Sequence, residues 1–449
     1  MTRPDSDATG EPGINVVRGL AIALAVYVLA VFHRTSLGVA GLEASDRFGI
    51  SPAQLSVFIF VQIGVYASMQ VPVGILVDKF GPRRLLFSAA VIMGVAQLAF
   101  AVVPNYPMAL FARGLLGVGD ALTFVSVLRF AAEHVAPRRY PMIVAVTGTL
   151  GSIGNIAATV PLTIALHQLG WTPTFTTAAV LSLLVAALVW FGAPRDGSGL
   201  GRTKRSRQEI GEALRRVGGG VATAWAVPGT RLGFWIHFSN TCMMAVLTVL
   251  WGQPYLIEEQ GFSQESAASV LTAMVVVQVV SSLLIGSVIG PRPGVRTPLG
   301  IGVAVATVAA WVILLTAVGA GAPDWLVIGV FILSALGGPA SSVGFAIARD
   351  YNQVSLAGRA TGIVNVAGWA ACVVASITIG ITLSALGTSP ADYRRGFLLA
   401  MAIPTVGIVQ AIRWWRRTRH SNLHALARGE QVPVQTRARR FDLPLTETL

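Results

Sequence analysis

Long runs without charge constrain this chain most: apolar segments approaching the ~20 residues needed to cross a hydrocarbon core recur along almost its whole length. Only 12% of its 449 residues are charged, about half the ~25% usual in a soluble domain. The spacing predicts spans over Val17 to Leu42, Leu55 to Val77, Leu85 to Val103, Met108 to Phe130, Pro141 to Leu166 and Thr174 to Ala193. After a polar break come Leu232 to Trp251, Ala267 to Ile289, Thr297 to Val318, Trp325 to Ala348, Ala360 to Leu386 and Gly396 to Ile412. The expected fold is therefore an all-α membrane protein of twelve transmembrane helices in two six-helix bundles.

The break, Arg195 to Val227, carries Arg202, Lys204, Arg205, Arg207, Arg215 and Arg216 around an amphipathic stretch, Gln208 to Val217. It sets expected boundaries: an N-terminal tail at 1–15, a first bundle at 16–194, a basic linker at 195–230, a second bundle at 231–416 and a basic tail at 417–449. The net charge of +13 would suggest nucleic acid in a soluble protein; here the bases sit in short loops and tails, where they report topology. Lys79, Arg83, Arg84, Arg138, Arg139, Arg292, Arg296, Arg359, the linker and the tail share one side, which places both termini in the cytoplasm. Linker and tail, with Trp414-Trp415-Arg416-Arg417, are expected to meet anionic headgroups. Basic residues are nearly all Arg in an Ala/Val/Gly-rich chain, consistent with a bacterial inner membrane. Cys242 and Cys372 both fall in apolar runs, so neither a disulfide framework nor a thiolate metal site is indicated. No cofactor is implied, and a monomer is the expected state.

Between the second and third spans stands Gly74-Ile75-Leu76-Val77-Asp78-Lys79-Phe80-Gly81-Pro82-Arg83-Arg84. It resembles the signature loop of the major facilitator superfamily, whose Gly, Asp-base, Gly and paired bases recur at these offsets and at this place. The resemblance implies a conformational latch: Gly74 for close helix approach, Asp78 facing the positive end of the eleventh span, and Arg83 and Arg84 pairing with Glu133. The corresponding loop of the second half, Gly286-Ser287-Val288-Ile289-Gly290-Pro291-Arg292, keeps a base but no Asp, so a degenerate latch is expected there. Span 5 has Gly148, Gly151, Gly154 and Asn155 but lacks the central Gly-Pro pair of drug/proton antiporters.

Ionisable groups at membrane depth are costly and mark function. His33 and Arg34 lie past the middle of the first span, and the fourth span carries Arg113 in its outer third and Asp120 near its centre. The segment Phe32-His33-Arg34-Thr35-Ser36 resembles the first span of the superfamily's organic-anion branch, where such an Arg meets an anionic substrate. That implies Arg34 as the substrate residue, since a guanidinium holds a carboxylate bidentately. Asp120 is the candidate proton-coupling group; the structural alternative is a permanent ion pair with Arg34 or Arg113. Gln62, Tyr66 and Gln70 form one polar stripe on the second span. With Arg113, His33, His237, Asn240, Asn365 and Trp369, Gln62 and Tyr66 complete the candidate binding set.

The resemblance implies a secondary transporter of a small organic solute working by alternating access, proton-coupled and with an anion as the Arg34 reading. Proton-driven efflux of drugs or metabolites is the alternative, and a transporter-like receptor a third. An enzyme is not indicated, since no HExxH, paired Cys or phosphate-cradling loop is present.

Overall fold

The computed structural model describes residues 14–135, 140–194, 221–289, 292–318, 321–434, 436 and 438. The amphipathic stretch Gln208 to Val217 and the loop bases Arg138 and Arg139 lie outside them, as does the side chain of Asp78. Among the described residues, twelve helices are long and apolar enough to cross a membrane.

Span 1 is Ile14–Thr35 continued by Leu37–Phe48; span 2 is Pro52–Phe80, span 3 Pro82–Val102 and span 4 Tyr106–His134. Span 5 is Tyr140–Ala157 and Val160–Leu169, broken at Thr159, and span 6 is Trp171–Gly192. Span 7 begins as Pro228–Val246 and widens through π-helical turns at Leu247–Trp251 and Tyr255–Glu259. Spans 8 to 11 are Gln264–Ile289, Pro293–Ile313 with a π turn at Leu314–Val318, Asp324–Ala335 with Gly337–Tyr351, and Val354–Leu386. Span 12 is Pro390–Ala400 and Ala402–Ala427, so the last helix continues well beyond Trp414-Trp415-Arg416-Arg417 into the stretch expected to be tail.

Local chemistry explains why the spans start and stop where they do. Pro occupies the first turn of spans 2, 3, 4, 7, 9 and the final one, where its missing N–H has no partner to lose. Ser51 and Gln54 form a reciprocal capping box at span 2, and Asn105 accepts from the Met108 N–H at 3.1 Å at span 4. Gly81 ends span 2 and opens span 3 with φ +83°. That left-handed backbone is the physical reason the signature loop needs glycine there.

Contacts divide the chain into two units. One holds Met1–Lys204 with Thr248–Ile257 and Gly261–Val275; the other holds Arg205–Leu247, Glu258–Gln260 and Val276–Leu449. In the first unit, glycine sets the helix crossings. A Cβ on Gly117 would lie 2.5 Å from the Gln62 carbonyl oxygen, and one on Gly154 would lie 2.3 Å from that of Val28. Spans 4 and 2, and spans 5 and 1, therefore touch backbone to backbone. The second unit uses the same device reciprocally: a Cβ on Gly233 would meet the Gly344 carbonyl at 2.4 Å, and one on Gly344 the Gly233 carbonyl at 2.5 Å. Gly74, expected to permit such an approach, has nothing within 4 Å of a built Cβ among the described residues.

Candidate functional site

The Gly117 crossing decides where the polar groups of spans 2 and 4 meet. With Gly117 against Gln62, about one turn further along each helix brings Asp120 and Tyr66 to the same level. Span 1 is pressed against span 5 at Val28, with Tyr27 against Gly151, and carries Arg34 to that level. Arg34 donates from Nε to Asp120 Oδ2 at 2.7 Å and from Nη2 to Oδ1 at 2.6 Å. Its guanidinium carbon sits 4.9 Å from the centre of the Tyr66 ring. Both carboxylate oxygens are thus held by a planar fork whose face rests on an aromatic ring, the strongest arrangement for such a pair. The Asp120 side chain is 1% exposed and that of Arg34 is 12% exposed, so Arg34 is the member that remains in reach of solvent.

One residue before Arg34, His33 turns the other way. Its Nε2 lies 2.7 Å from Ser182 Oγ on span 6, and Ser182 donates to the Ala178 carbonyl at 3.1 Å. The buried Nδ1 of His33 has no hydrogen-bond partner. Arg113 lies on that same hidden side: it is 0% exposed, donates from Nη1 to the His33 carbonyl at 3.4 Å and stacks 5.1 Å from the Phe100 ring. Its Nε and Nη2 have no hydrogen-bond partner. In this conformation His33 and Arg113 are both buried inside the first unit, and His33 points away from Arg34 because adjacent residues on a helix point about 100° apart.

The span 2 stripe faces inward as its spacing requires, with Gln62 1% and Tyr66 9% exposed and Gln70 donating to the Tyr66 carbonyl at 3.2 Å. Both amide atoms of Gln62 lack partners. In the second unit, His237 Nδ1 lies 3.2 Å from the Ser341 carbonyl with its ring against Phe345, and Asn240 donates to the carbonyls of Ile236 and Gly300, each at 2.9 Å. These two tie span 7 to spans 9 and 10. Asn365 and Trp369 are half-buried on span 11.

At the signature loop, Glu133 accepts from Arg129 Nε at 2.8 Å, one helical turn back. Arg83 donates to the backbone carbonyls of Val189 and Trp190 and covers the Trp190 ring at 5.4 Å, while Arg84 is exposed. In this conformation Glu133 and Arg83 each make contacts at the ends of the spans. In the second half Arg296, 6% exposed, pairs with Asp350 and donates to the Ile289 carbonyl at 3.0 Å, joining the ends of spans 8, 9 and 10. This pair was legible only from the repeat, since a base opening span 9 and an acid closing span 10 mirror Arg83 and Glu133. Ser182 and Gln97, single polar residues in apolar helices, gave no periodic signal.

Among the described residues no cluster of His, Cys, Asp or Glu is able to hold a metal ion. Comparison with known proteins agrees with the architecture. The "Probable sulfoacetate transporter" of Cupriavidus necator is 24% identical over 409 residues, 88% of this chain and 92% of that protein. The "Probable galactarate/D-glucarate transporter" of Escherichia coli is 21% identical over 401 residues, 82% of this chain and 87% of its own length. Among solved structures, a bacterial homologue of the human lysosomal transporter Spinster, inward-facing and occupied, superposes with a TM-score of 0.69 at 14% identity, covering 88% of this chain and 95% of that one. The profile of the Major Facilitator Superfamily matches residues 23–227 and 233–445, and with twelve membrane-length helices the chain belongs to this superfamily of multi-pass membrane transporters.

Proposed function

We propose that this protein is a proton-coupled secondary transporter of a small organic anion, working by alternating access in a bacterial inner membrane with both termini cytoplasmic. The observation that carries the reading is the bidentate Arg34–Asp120 pair on the Tyr66 ring. A guanidinium presents one fork, so an arriving carboxylate or sulfonate competes with Asp120 for it. A carboxylate left without its partner in a dry interior is costly as an anion, and Asp120 takes up a proton when displaced. Arg34 is then the binding group, Asp120 the proton carrier and Tyr66 the platform. Gln62, His237, Asn240, Asn365 and Trp369 are further candidate contacts for the solute. Sulfoacetate and galactarate, named for the two relatives, are organic anions, which supports the charge class without choosing the solute.

The test is a thermal-shift screen of the purified protein against sulfonates, mono- and dicarboxylates, neutral sugars and cationic drugs, followed by pH-gradient flux in proteoliposomes. Anionic hits should be transported by the wild type and fail with Arg34→Ala and Asp120→Asn. Stabilisation and transport of cations or neutral drugs alone, unaffected by either change, would favour the efflux reading and end this one.

A further inference from the structure

Among the described residues, the helix Tyr106–His134 and the first segment of span 1, Ile14–Thr35, hold more buried guanidiniums than buried carboxylates. They are the guanidiniums of Arg34 and Arg113 and the carboxylate of Asp120, both of whose oxygens are taken by Arg34. Arg113 keeps its charge at any physiological pH. It is 0% exposed, and its Nε and Nη2 donate to nothing. An uncompensated ion in such a place costs several kcal/mol in general, more than the aromatic face of Phe100 repays.

A second group with the same deficit stands opposite. Gln97 on span 3 is 0% exposed, and neither its amide nitrogen nor its amide oxygen has a partner. The register follows from Gly119, whose Cβ would meet Met93 Cγ at 2.7 Å and the Ala89 carbonyl at 3.1 Å. Spans 3 and 4 run antiparallel, so six residues back from Gly119 and about six forward from the Ala89–Met93 pair place Arg113 and Gln97 at one level. Phe100, one turn beyond Gln97, already touches Arg113. The unpartnered Nε and Nη2 of Arg113 and the unpartnered amide of Gln97 thus lie at one level of the first unit, with Phe100 beside them.

We propose that Arg113 and Gln97 form an interior site for a small inorganic anion of halide size, resident within the first unit and distinct from the Arg34 fork. N–H donors beside a fixed positive charge are what such an ion needs, and its arrival would offset the charge of Arg113. The proposal does not depend on which solute Arg34 takes.

Equilibrium dialysis of the purified full-length protein with radiolabelled chloride, in buffer whose other anion is gluconate, tests it. The wild type should show one saturable chloride per chain, with a chloride-dependent rise in thermal stability. Arg113→Gln should abolish both. Because that change removes a buried charge and is liable to misfold, Gln97→Leu serves as the second variant, expected to bind about three- to tenfold more weakly, the loss of one hydrogen bond to an ion. No saturable chloride in the wild type, meaning that water fills the site, would overturn the proposal. So would wild-type affinity in Gln97→Leu or in a folded Arg113→Gln.

Discussion

Spans 1 to 6 hold three buried charges inside apolar helices, Arg34, Arg113 and Asp120, at 12%, 0% and 1% exposure. In spans 7 to 12 the described mid-span polar groups are an imidazole, amides and hydroxyls, while the ion pairs Arg296–Asp350 and Glu259–Arg394 stand at helix ends. Both halves use glycine to bring helices together, Gly117 and Gly154 in one and Gly233 and Gly344 in the other. The scaffold is therefore repeated and the electrostatics are not. A pair at a span end is near water and serves to fasten helices. A pair at the centre has no water to replace a lost partner, and such a pair responds to a new ligand.

The sharpest break in that comparison comes from the central pair. Arg34→Ala or Asp120→Asn should lower stability by about 3–5 kcal/mol, the usual cost of stranding one member of a buried pair, and abolish solute flux. The double change Arg34→Met, Asp120→Leu should recover most of the stability, read by unfolding in mixed micelles, and none of the flux. Equal losses in the singles and the double would mean the pair is not coupled. Next in size are the crossings: Gly117→Val and Gly233→Val should each cost about 1–3 kcal/mol by overpacking. A neutral result in one half alone would show that the shared scaffold is not equally tight.

Arg296→Ala should cost about 2 kcal/mol, less than the central pair, because Asp350 keeps 17% exposure and gains water when its partner leaves. Flux should fall with folded protein and not beyond it; complete loss of transport in a folded variant would give the second half an ionic role too. The smallest effect is expected at the exposed Arg428–Glu430 pair, bonded at 2.7 and 3.0 Å. Hydrogen bonding to Arg428 holds the Glu430 carboxyl below its ordinary range. Its contribution is present above the ordinary carboxylate value and fades as pH falls through the lower, folded one. In full solvent exposure it should be undetectable, so Glu430→Gln should leave the thermal midpoint unchanged at pH 7 and pH 4.

The twelve spans and the family's signature loop were readable from the chain alone. Membrane insertion acts on runs of about 20 residues and penalises each charge separately, so a one-dimensional record carries that information whole. Which charges pair was not readable, because His33 and Arg34 are neighbours in the chain and point to opposite partners, Ser182 and Asp120. The same holds for the surroundings of Gly74, the Arg129–Glu133 contact and the orphaned Arg113 and Gln97. Each depends on the rotation and register of packed helices. Those are set by a few close backbone crossings, such as Gly117 on Gln62, between residues far apart in sequence.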